Sequence, residues 1–307
     1  MRDAFIRRFT EIANEDKRLV LITGDLGFCV FDEIRQTLPD QFINAGVAEQ
    51  NMTAVATGMA MGGFVTFTYS IGNFPTLRCL EQIRNDACYH GADVKVVSIG
   101  GGFSYGALGI SHHATEDLAI LRSLPDITVF SPTSTWETER ATEALVETPG
   151  TCFLRLDKSF ANEPEGVDDV FQTGRNRLLR DGDACSLFVT GGIMEEAWHV
   201  AEKLSRNGIE IRLYSVHTLK PFDISSVVQA AEETGVIVTL EEHNVDGGLG
   251  GLVAETLMDA GVDGCKFRRI GLRAGFSSIV GSQHYLRQRY ELDADAVYKS
   301  VKDLLAQ

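Results

Sequence analysis

A long uncharged segment constrains the fold of this chain more than any other feature. Residues 50 to 77 contain no acidic or basic side chain, and Glu49 and Arg78 bound the segment. The segment is longer than the ~20 apolar residues that a membrane-spanning helix needs. Its glycines, its threonines and Pro75 are instead typical of a helix followed by a strand, both buried inside an α/β protein. We therefore expect a soluble α/β fold without a membrane span.

Strand-like and helix-like patterns alternate along the chain. "LVLITGD" and "VKVVSIGG" are short apolar runs closed by turns, whereas "AFIRRFTEI" repeats its apolar residues at helical spacing. The alternation is interrupted at residues 161–183, which are polar and turn-rich, with room for one strand. The pattern predicts two doubly wound α/β domains, at 1–160 and 184–307, joined by a linker at 161–183.

Charge and cysteine usage exclude several classes of protein. The net charge of −15 argues against binding to a nucleic-acid backbone or to an anionic membrane surface. The chain start mixes acids with bases and lacks the apolar core of a secretory signal. The cysteines form no CxxC pair and no zinc spacing, so we expect reduced core thiols in a cytoplasmic protein. They are Cys29, Cys79, Cys88, Cys152, Cys185 and Cys265.

Glycine-rich turns give no nucleotide-binding fingerprint. "GDLG" and "GGFSYGALG" follow strands, but neither matches GxGxxG before a helix or GxxxxGK[ST]. "DGGLGGL" opens a helix after a strand, where backbone N–H groups can hold an anion. A tight strand-to-helix turn is the favoured interpretation of all three.

The residues alone leave two interpretations of Glu49 and of the histidines. Glu49 begins a helix, where the helix dipole favours an acid, or it is a functional carboxylate whose pKa is raised by its apolar surroundings. His112 and His113, in "SHHATED", are either loop residues or catalytic groups. No HExxH or GxSxG motif assigns them a role.

Three segments resemble the transketolase family. "FINAGVAEQNMTAVATGMAMGG" is similar to the pyrimidine-binding segment of transketolases, with the pattern F-x-N-x-G-I-A-E-Q-x-M. "DLAILRSLPDITVFSPTSTWE" and "VTLEEHNVDGGLGG" are similar to later transketolase segments, in the same order. The resemblance covers nearly the whole chain. It implies a pyrimidine-binding domain for thiamine diphosphate followed by a transketolase C-terminal domain.

The resemblance implies roles for residues around Glu49. In the family, the acid of A-E-Q shares a proton with the pyrimidine ring of thiamine diphosphate and so promotes formation of the reactive ylide. Glu49 and the adjacent Gln50 occupy these positions. The family also stacks an aromatic ring on the pyrimidine. In "TFTYSIGNFPTL", Phe74 is the first choice and Tyr69 the second, with Phe67 also available.

Substrate-binding residues are implied with departures from the family pattern. His112 falls where transketolases carry the histidine of T-H-Q, but the sequence here is S-H-H, with "LGI" in place of D-G-P. His113 is the neighbouring candidate. Lys158 lies near a family arginine that holds the substrate phosphate, which a lysine holds only as a point charge. Arg155 is close by, and both Arg155 and Lys158 are equally well explained as strand-end ion pairs with Asp157 or its neighbours.

The resemblance also implies a split enzyme. Full-length transketolases bind the diphosphate and Mg²⁺ through a G-D-G motif, which this sequence lacks. We expect a separate N-terminal subunit to supply that half of the site, in a heterotetramer with two copies of each chain. The expected reaction transfers a two-carbon ketol unit from a ketose, often phosphorylated, to an aldose.

Other functions are consistent with the same residues. The β subunit of a 2-oxoacid dehydrogenase shares both domains, and a deoxyxylulose-phosphate-synthase-like enzyme is a decarboxylating relative. Release of CO₂ from pyruvate would distinguish both from a transketolase, which "LRSLPDI" favours. A non-catalytic regulatory subunit is a third interpretation, and retention of Glu49 and His112 argues against it.

Overall fold

The chain folds into two α/β domains. The computed structural model describes residues 1–27, 30–163, 170–273 and 275–307. In the first domain the strands are β1 (Leu19–Thr23), β2 (Phe42–Asn44), β3 (Val65–Ile71), β4 (Val94–Ile99), β5 (Ile127–Phe130) and β6 (Thr151–Leu156). Its α-helices are α1 (Arg2–Glu15), α2 (Asp32–Thr37), α3 (Glu49–Met61), α4 (Asp117–Ser123) and α5 (Thr135–Glu147), and a π-helix spans Gln82–Cys88.

The first sheet is parallel across these six strands, in the order β5-β6-β4-β3-β1-β2. One apolar cluster joins one face of the sheet to α1, α2 and α5, and a second joins the other face to α3, α4 and the π-helix. Covering both faces makes the central strands uniformly apolar, and all five residues of β1 are buried. The domain is doubly wound, as the sequence predicted.

The second domain repeats this plan around a smaller sheet. Its strands are β7 (Arg177–Arg180), β8 (Ser186–Thr190), β9 (Arg212–Ser215), β10 (Thr218–Lys220), β11 (Val236–Asn244) and β12 (Lys266–Leu272). Its helices are α6 (Met194–Ser205), α7 (Ile224–Thr234), α8 (Leu249–Asp259), α9 (Gln283–Arg289) and α10 (Ala294–Leu305). The sheet has the order β12-β11-β8-β9-β7. Within this sheet β7 runs antiparallel to β9, and the other neighbouring strands pair in parallel.

Strands β7 and β10 define the boundary between the two domains. Strand β7 lies inside the predicted linker but pairs with β9 of the second sheet, so the second domain begins before residue 184. Strand β10 follows β9 in the chain yet pairs antiparallel with β5, at the edge of the first sheet. A segment of the second domain therefore extends the sheet of the first, which ties the two domains together.

The uncharged segment forms the predicted helix and strand. It runs through α3 into β3, and β3 is a central strand with six of its seven residues buried. Within the described ranges, no helix combines the length and the apolar character needed to cross a bilayer. Burial between β1 and β4 explains why β3 carries no charge.

Local sequence signals account for several element ends. Ser134 caps α5, its hydroxyl accepting a hydrogen bond from the Glu137 N–H at 3.1 Å. Glu137 accepts from the Thr133 N–H at 2.8 Å rather than from Ser134, so the reciprocal half of the capping box is replaced. Free thiols occupy the described cysteine positions; Cys29 lies outside them.

Candidate active site

The candidate site lies where the parallel strands of the first sheet end. Glu49 begins α3 after β2, Phe74 follows β3, and His112 lies in the loop after β4. Because the carboxyl ends of parallel strands meet at one edge, side chains from three separate loops converge there. Open α/β sheets bind their ligands at this edge.

Glu49 is buried, with 4% of its surface exposed. Its Oε2 accepts a hydrogen bond from Nη1 of Arg78 at 2.8 Å. Its Oε1 accepts no hydrogen bond from the part of the chain that the structure describes. Gly24, after β1, makes room for the side chain, because a Cβ there would lie 3.3 Å from Glu49 Cγ. The site thus holds one buried carboxylate with an unused acceptor.

Phe74 lies between the Glu49 ion pair and the histidine loop. The Arg78 guanidinium carbon lies 4.6 Å from the centre of the Phe74 ring. The His112 ring meets it edge-on, with 5.1 Å between ring centres. Asn73 Nδ2 donates to the His113 carbonyl at 2.9 Å, so the loops after β3 and β4 are joined. Phe74 is half-buried.

His112 is a neutral imidazole near pH 7. Partial burial, and secondarily the charge of His113, lower the pKa of His112 below its ordinary value of 6.5. Its Nδ1 lies 2.9 Å from the Ser111 hydroxyl. A neutral ring has one N–H donor and one acceptor nitrogen, so His112 is able to hydrogen-bond a carbonyl or hydroxyl oxygen.

An exposed cation lies beyond His112. The Lys158 ammonium sits 3.7 Å from the centre of the Tyr105 ring, and that ring is 6.2 Å from the His112 ring. Partial burial, and secondarily the charge of Arg2, lower the pKa of Lys158. Tyr105 therefore links Lys158 to the site. Gln50 is exposed in the first turn of α3, next to Glu49.

Three expected site residues lie elsewhere, and these expectations are corrected. Tyr69 is 1% exposed and packs between Phe5 and Phe31 in the core, so it offers no face to a cofactor. Phe67 is likewise buried. His113 is 1% exposed, and its Nε2 lies 3.1 Å from the Gly106 carbonyl.

Arg155 is also a structural residue rather than a substrate contact. It is 1% exposed, and its Nε lies 3.5 Å from Asp117 and 3.6 Å from Asp157. Its Nη2 donates to the Glu242 carbonyl of the second domain at 3.0 Å. The strand-end ion pair with Asp157 is thus the correct interpretation, and Arg155 contributes to the domain interface.

Sequence reasoning missed Arg78 and Tyr105 as site residues. Arg78 is the first charged residue after Glu49 in the sequence, and this isolation is the signal from which their pairing could have been predicted. Tyr105 is an aromatic residue inside the glycine-rich stretch that was interpreted only as a turn. Neither spacing nor composition brings Tyr105 beside Lys158, because that contact depends on the fold of the loop.

In "DGGLGGL", the backbone N–H groups at the start of α8 bind a carboxylate of this chain instead of an external anion. The carboxylate of Glu241 accepts hydrogen bonds from the Leu249 and Gly250 N–H groups, both at 2.7 Å. Glu241 itself therefore occupies the N-terminus of α8. A Cβ at Gly248 would lie 2.0 Å from Glu241 Oε2, which explains the glycine. The tight-turn interpretation is confirmed.

The site fits the pyrimidine half of thiamine diphosphate. A buried carboxylate with a free acceptor, an accessible phenyl ring and a neutral imidazole suit a flat heterocycle that exchanges protons. In the ranges that the structure describes, no group of three or more His, Cys, Asp or Glu side chains is arranged to hold a metal ion.

Comparisons with known proteins agree along the whole chain. The family model "Transketolase, pyrimidine binding domain" matches residues 1–163, and "Transketolase, C-terminal domain" matches residues 174–297. One subunit of the apulose-4-phosphate transketolase of Phocaeicola vulgatus is 31% identical over 99% of this chain and 97% of that relative. A 6-deoxy-6-sulfo-D-fructose transketolase subunit of a Clostridium species is 33% identical over 99% of this chain and 94% of that relative.

Solved structures give the same result. A structure described as a split gene transketolase, inactive beta4 tetramer, has a TM-score of 0.88 and 31% identity, covering 99% of this chain and 97% of that one. The match to a transketolase mutant from Pichia stipitis has a TM-score of 0.82 at 18% identity. It covers 99% of this chain and 45% of that longer chain, and it supports the fold alone.

Proposed function

The chain belongs to the transketolase family, and from that premise we propose that it is the C-terminal subunit of a split transketolase. The enzyme transfers a two-carbon ketol unit from a ketose to an aldose. When bound, thiamine diphosphate supplies the nucleophilic carbon for this chemistry. The observation that carries the proposal is the convergence of Glu49, Phe74 and His112 at one edge of the first sheet.

Each residue has a separate task. Glu49 would hold the pyrimidine ring by sharing a proton through its unused oxygen, and its burial would keep water from competing. Phe74 would pack on that ring. His112 hydrogen-bonds the substrate oxygen, and its lowered pKa keeps it neutral for this purpose. Gln50, exposed beside Glu49, adds a polar contact at the cofactor edge.

We propose that the substrate carries a terminal anionic group. The two relatives are named for apulose 4-phosphate and 6-deoxy-6-sulfo-D-fructose, sugars with a phosphate and a sulfonate. Lys158 is exposed and lies on the His112 side of the site, held over Tyr105. A lysine binds either anion as a point charge without the bidentate geometry of an arginine.

The partner is proposed to be an N-terminal subunit that binds the diphosphate and Mg²⁺. The exposed face of α3 supports this, because it has no charged residue and includes Val55, Gly58 and Met61. Val55 is 39% exposed and Met61 67%. Val47, two residues before Glu49, and Leu108, in the loop that carries His112, are also exposed, at 75% and 57%. Contiguous exposed apolar surface marks an interaction site.

Reconstitution tests the proposal. The chain is purified from its own cells with thiamine diphosphate and Mg²⁺, and native mass spectrometry measures the complex. We expect two copies of this chain, two of a second subunit and two cofactors. The complex should transfer a ketol unit without releasing CO₂, and this chain alone should be inactive.

Two outcomes would contradict the proposal. A homodimer that retains cofactor and turns over without a partner would remove the split-site assignment. Release of CO₂ from pyruvate would instead identify a decarboxylating relative. As a control for the effect of substitution itself, Gln229→Ala alters an exposed residue of α7 that is remote in sequence from the site. The complex with this variant should keep full activity.

A further inference from the structure

A groove in the second domain concentrates positive charge that the candidate active site does not use. It has a volume of about 600 Å³ and follows the edge strand β12 toward α9 and α10. Two acidic residues, Glu291 and Asp303, line it against five basic residues. The five are Arg268, Arg269, Arg273, Arg289 and Lys299. The lining residues therefore have a positive balance of charge, whereas the whole chain carries a net charge of −15.

Two of the arginines are fixed by the fold. Arg268 Nη1 donates to the Ser300 carbonyl in α10 at 2.6 Å. Arg269 Nη1 donates to the Val245 carbonyl at 2.9 Å, on the other side of β12. Arg268 is thus held beside α10, where it adds a fixed positive charge to the groove, whereas the Arg269 guanidinium lies on the other side of β12, 3.9 Å from Asp246.

The other three cations have free hydrogen-bonding capacity. Arg273, Arg289 and Lys299 are exposed, and among the described residues none of them has a side-chain hydrogen bond or an acidic partner within ion-pair distance. They come from the end of β12, the last turn of α9 and the middle of α10. Exposed cations from three elements converge on one groove, whereas elsewhere several exposed arginines pair with an acid, as Arg18 does with Asp16.

The chemistry of this group favours phosphate. Arginine presents a fork of donors that matches a phosphate, and lysine adds a point charge. The volume falls in the range of small-ligand sites. Tyr290 also lines the groove, with its ring stacked on Phe103 at 5.4 Å. We propose that this groove binds a small organic anion that carries two or more phosphate groups.

Calorimetric titration of the full chain tests this site. The probes are orthophosphate, pyrophosphate and adenosine triphosphate, each at low and at moderate salt. We expect saturable binding of the two polyphosphates, weaker binding of orthophosphate, and an affinity that falls as salt rises. The triple variant Arg273→Gln, Arg289→Gln, Lys299→Gln should lower polyphosphate affinity by at least about tenfold.

Two control variants make the result specific. The variant Arg35→Gln, Arg206→Gln, Lys302→Gln removes the same charge from exposed positions outside the groove and should bind as the wild type does. Lys158→Gln should also bind normally, since Lys158 belongs to the candidate active site. Circular dichroism checks that each variant is folded.

Three outcomes would overturn the proposal. One is the absence of saturable polyphosphate binding by the wild type. Another is an equal loss of affinity in both triple variants, which would mean that only the overall charge matters. The third is a loss in Lys158→Gln with no change in the groove variant, which would place the polyphosphate at the candidate active site.

Discussion

Two buried glutamates lie beside helix starts, one in each domain, and their hydrogen bonding differs. Glu49 is 4% exposed, and one of its oxygens bonds to the half-exposed Arg78. Glu241 is fully buried, and both of its oxygens accept N–H groups from the start of α8. Burial makes either acid unusual, but only Glu49 keeps an acceptor for a ligand. Unused hydrogen-bonding capacity, rather than burial, distinguishes the candidate functional acid.

The same contrast separates two cations on one strand end. Arg155 is buried among Asp117, Asp157 and the Glu242 carbonyl. Lys158, three positions later, is exposed, and its ammonium lies over the face of the Tyr105 ring. Arg155 donates to a carbonyl of the second domain, while Lys158 is the residue that we propose contacts the substrate. Variants of Glu49, Glu241, Arg155 and Lys158 test this distinction between functional and structural charged residues.

The largest effect is expected for Glu49→Gln. An amide cannot share a proton as a carboxylate does, so transfer activity of the reconstituted complex should fall by on the order of 10³-fold. The thermal midpoint of the chain should stay near that of the wild type, because Gln retains a hydrogen-bond acceptor for Arg78. Steady-state kinetics and calorimetry measure the two quantities. Unchanged turnover would remove Glu49 from the catalytic group.

The second effect is on stability and concerns Arg155→Leu. Removing one partner from a buried charge cluster leaves Asp117 and Asp157 uncompensated, which should lower the free energy of unfolding by about 3–5 kcal/mol. Urea denaturation measures the loss. Arg155→Lys, which keeps the charge, should lose less. Equal stability of the wild type and Arg155→Leu would show that the cluster does not support the interface.

These two cases indicate what sequence can and cannot predict here. The alternation of apolar runs and helical patterns was enough to predict two doubly wound domains, because each strand is covered on both faces. Glu49, Phe74 and His112 were predicted from the resemblance to transketolases, and they lie close together in the structure because each follows a parallel strand. Strand β10 was missed, since its pairing with β5 is a contact between domains and leaves no periodic signal in three residues.

Burial accounts for the wrong assignments. Arg155 and His113 lie near Lys158 and His112, to which the family resemblance gives substrate contacts, and their types suit a substrate site. Arg155 is covered by Glu242 of the second domain and His113 by Phe103 of its own domain, so neither is accessible. No local sequence pattern indicates this burial, because the covering residues are distant in the chain or lie in an irregular loop. Arg78 was recoverable, because an isolated charge beyond an uncharged segment needs a partner.

A smaller effect is expected for Lys158→Gln. Loss of one point charge should raise the KM for a phosphorylated or sulfonated ketose about tenfold, with kcat nearly unchanged, because the anion lies away from the reacting carbons. The KM for an uncharged ketose should not change, and this comparison is the control. The free energy of unfolding should stay within about 0.5 kcal/mol of the wild type. Equal effects on both ketoses would mean that Lys158 does not recognise the anion.

The smallest effect concerns the pH dependence of stability at Glu241. Burial raises the pKa of Glu241 to about 7, from an ordinary value of 4.5. A carboxyl group whose folded pKa is raised stabilises the fold below its unfolded pKa, and this contribution is lost as pH rises through the folded pKa. The free energy of unfolding of the wild type should therefore fall by about 1 kcal/mol between pH 6.5 and 8, relative to Glu241→Gln.

Urea denaturation of both proteins across this range measures the difference, and the variant cancels contributions from other titrating groups. A constant difference between the wild type and Glu241→Gln would mean that Glu241 stays ionised throughout. The helix N–H groups would then hold its charge more strongly than burial opposes it.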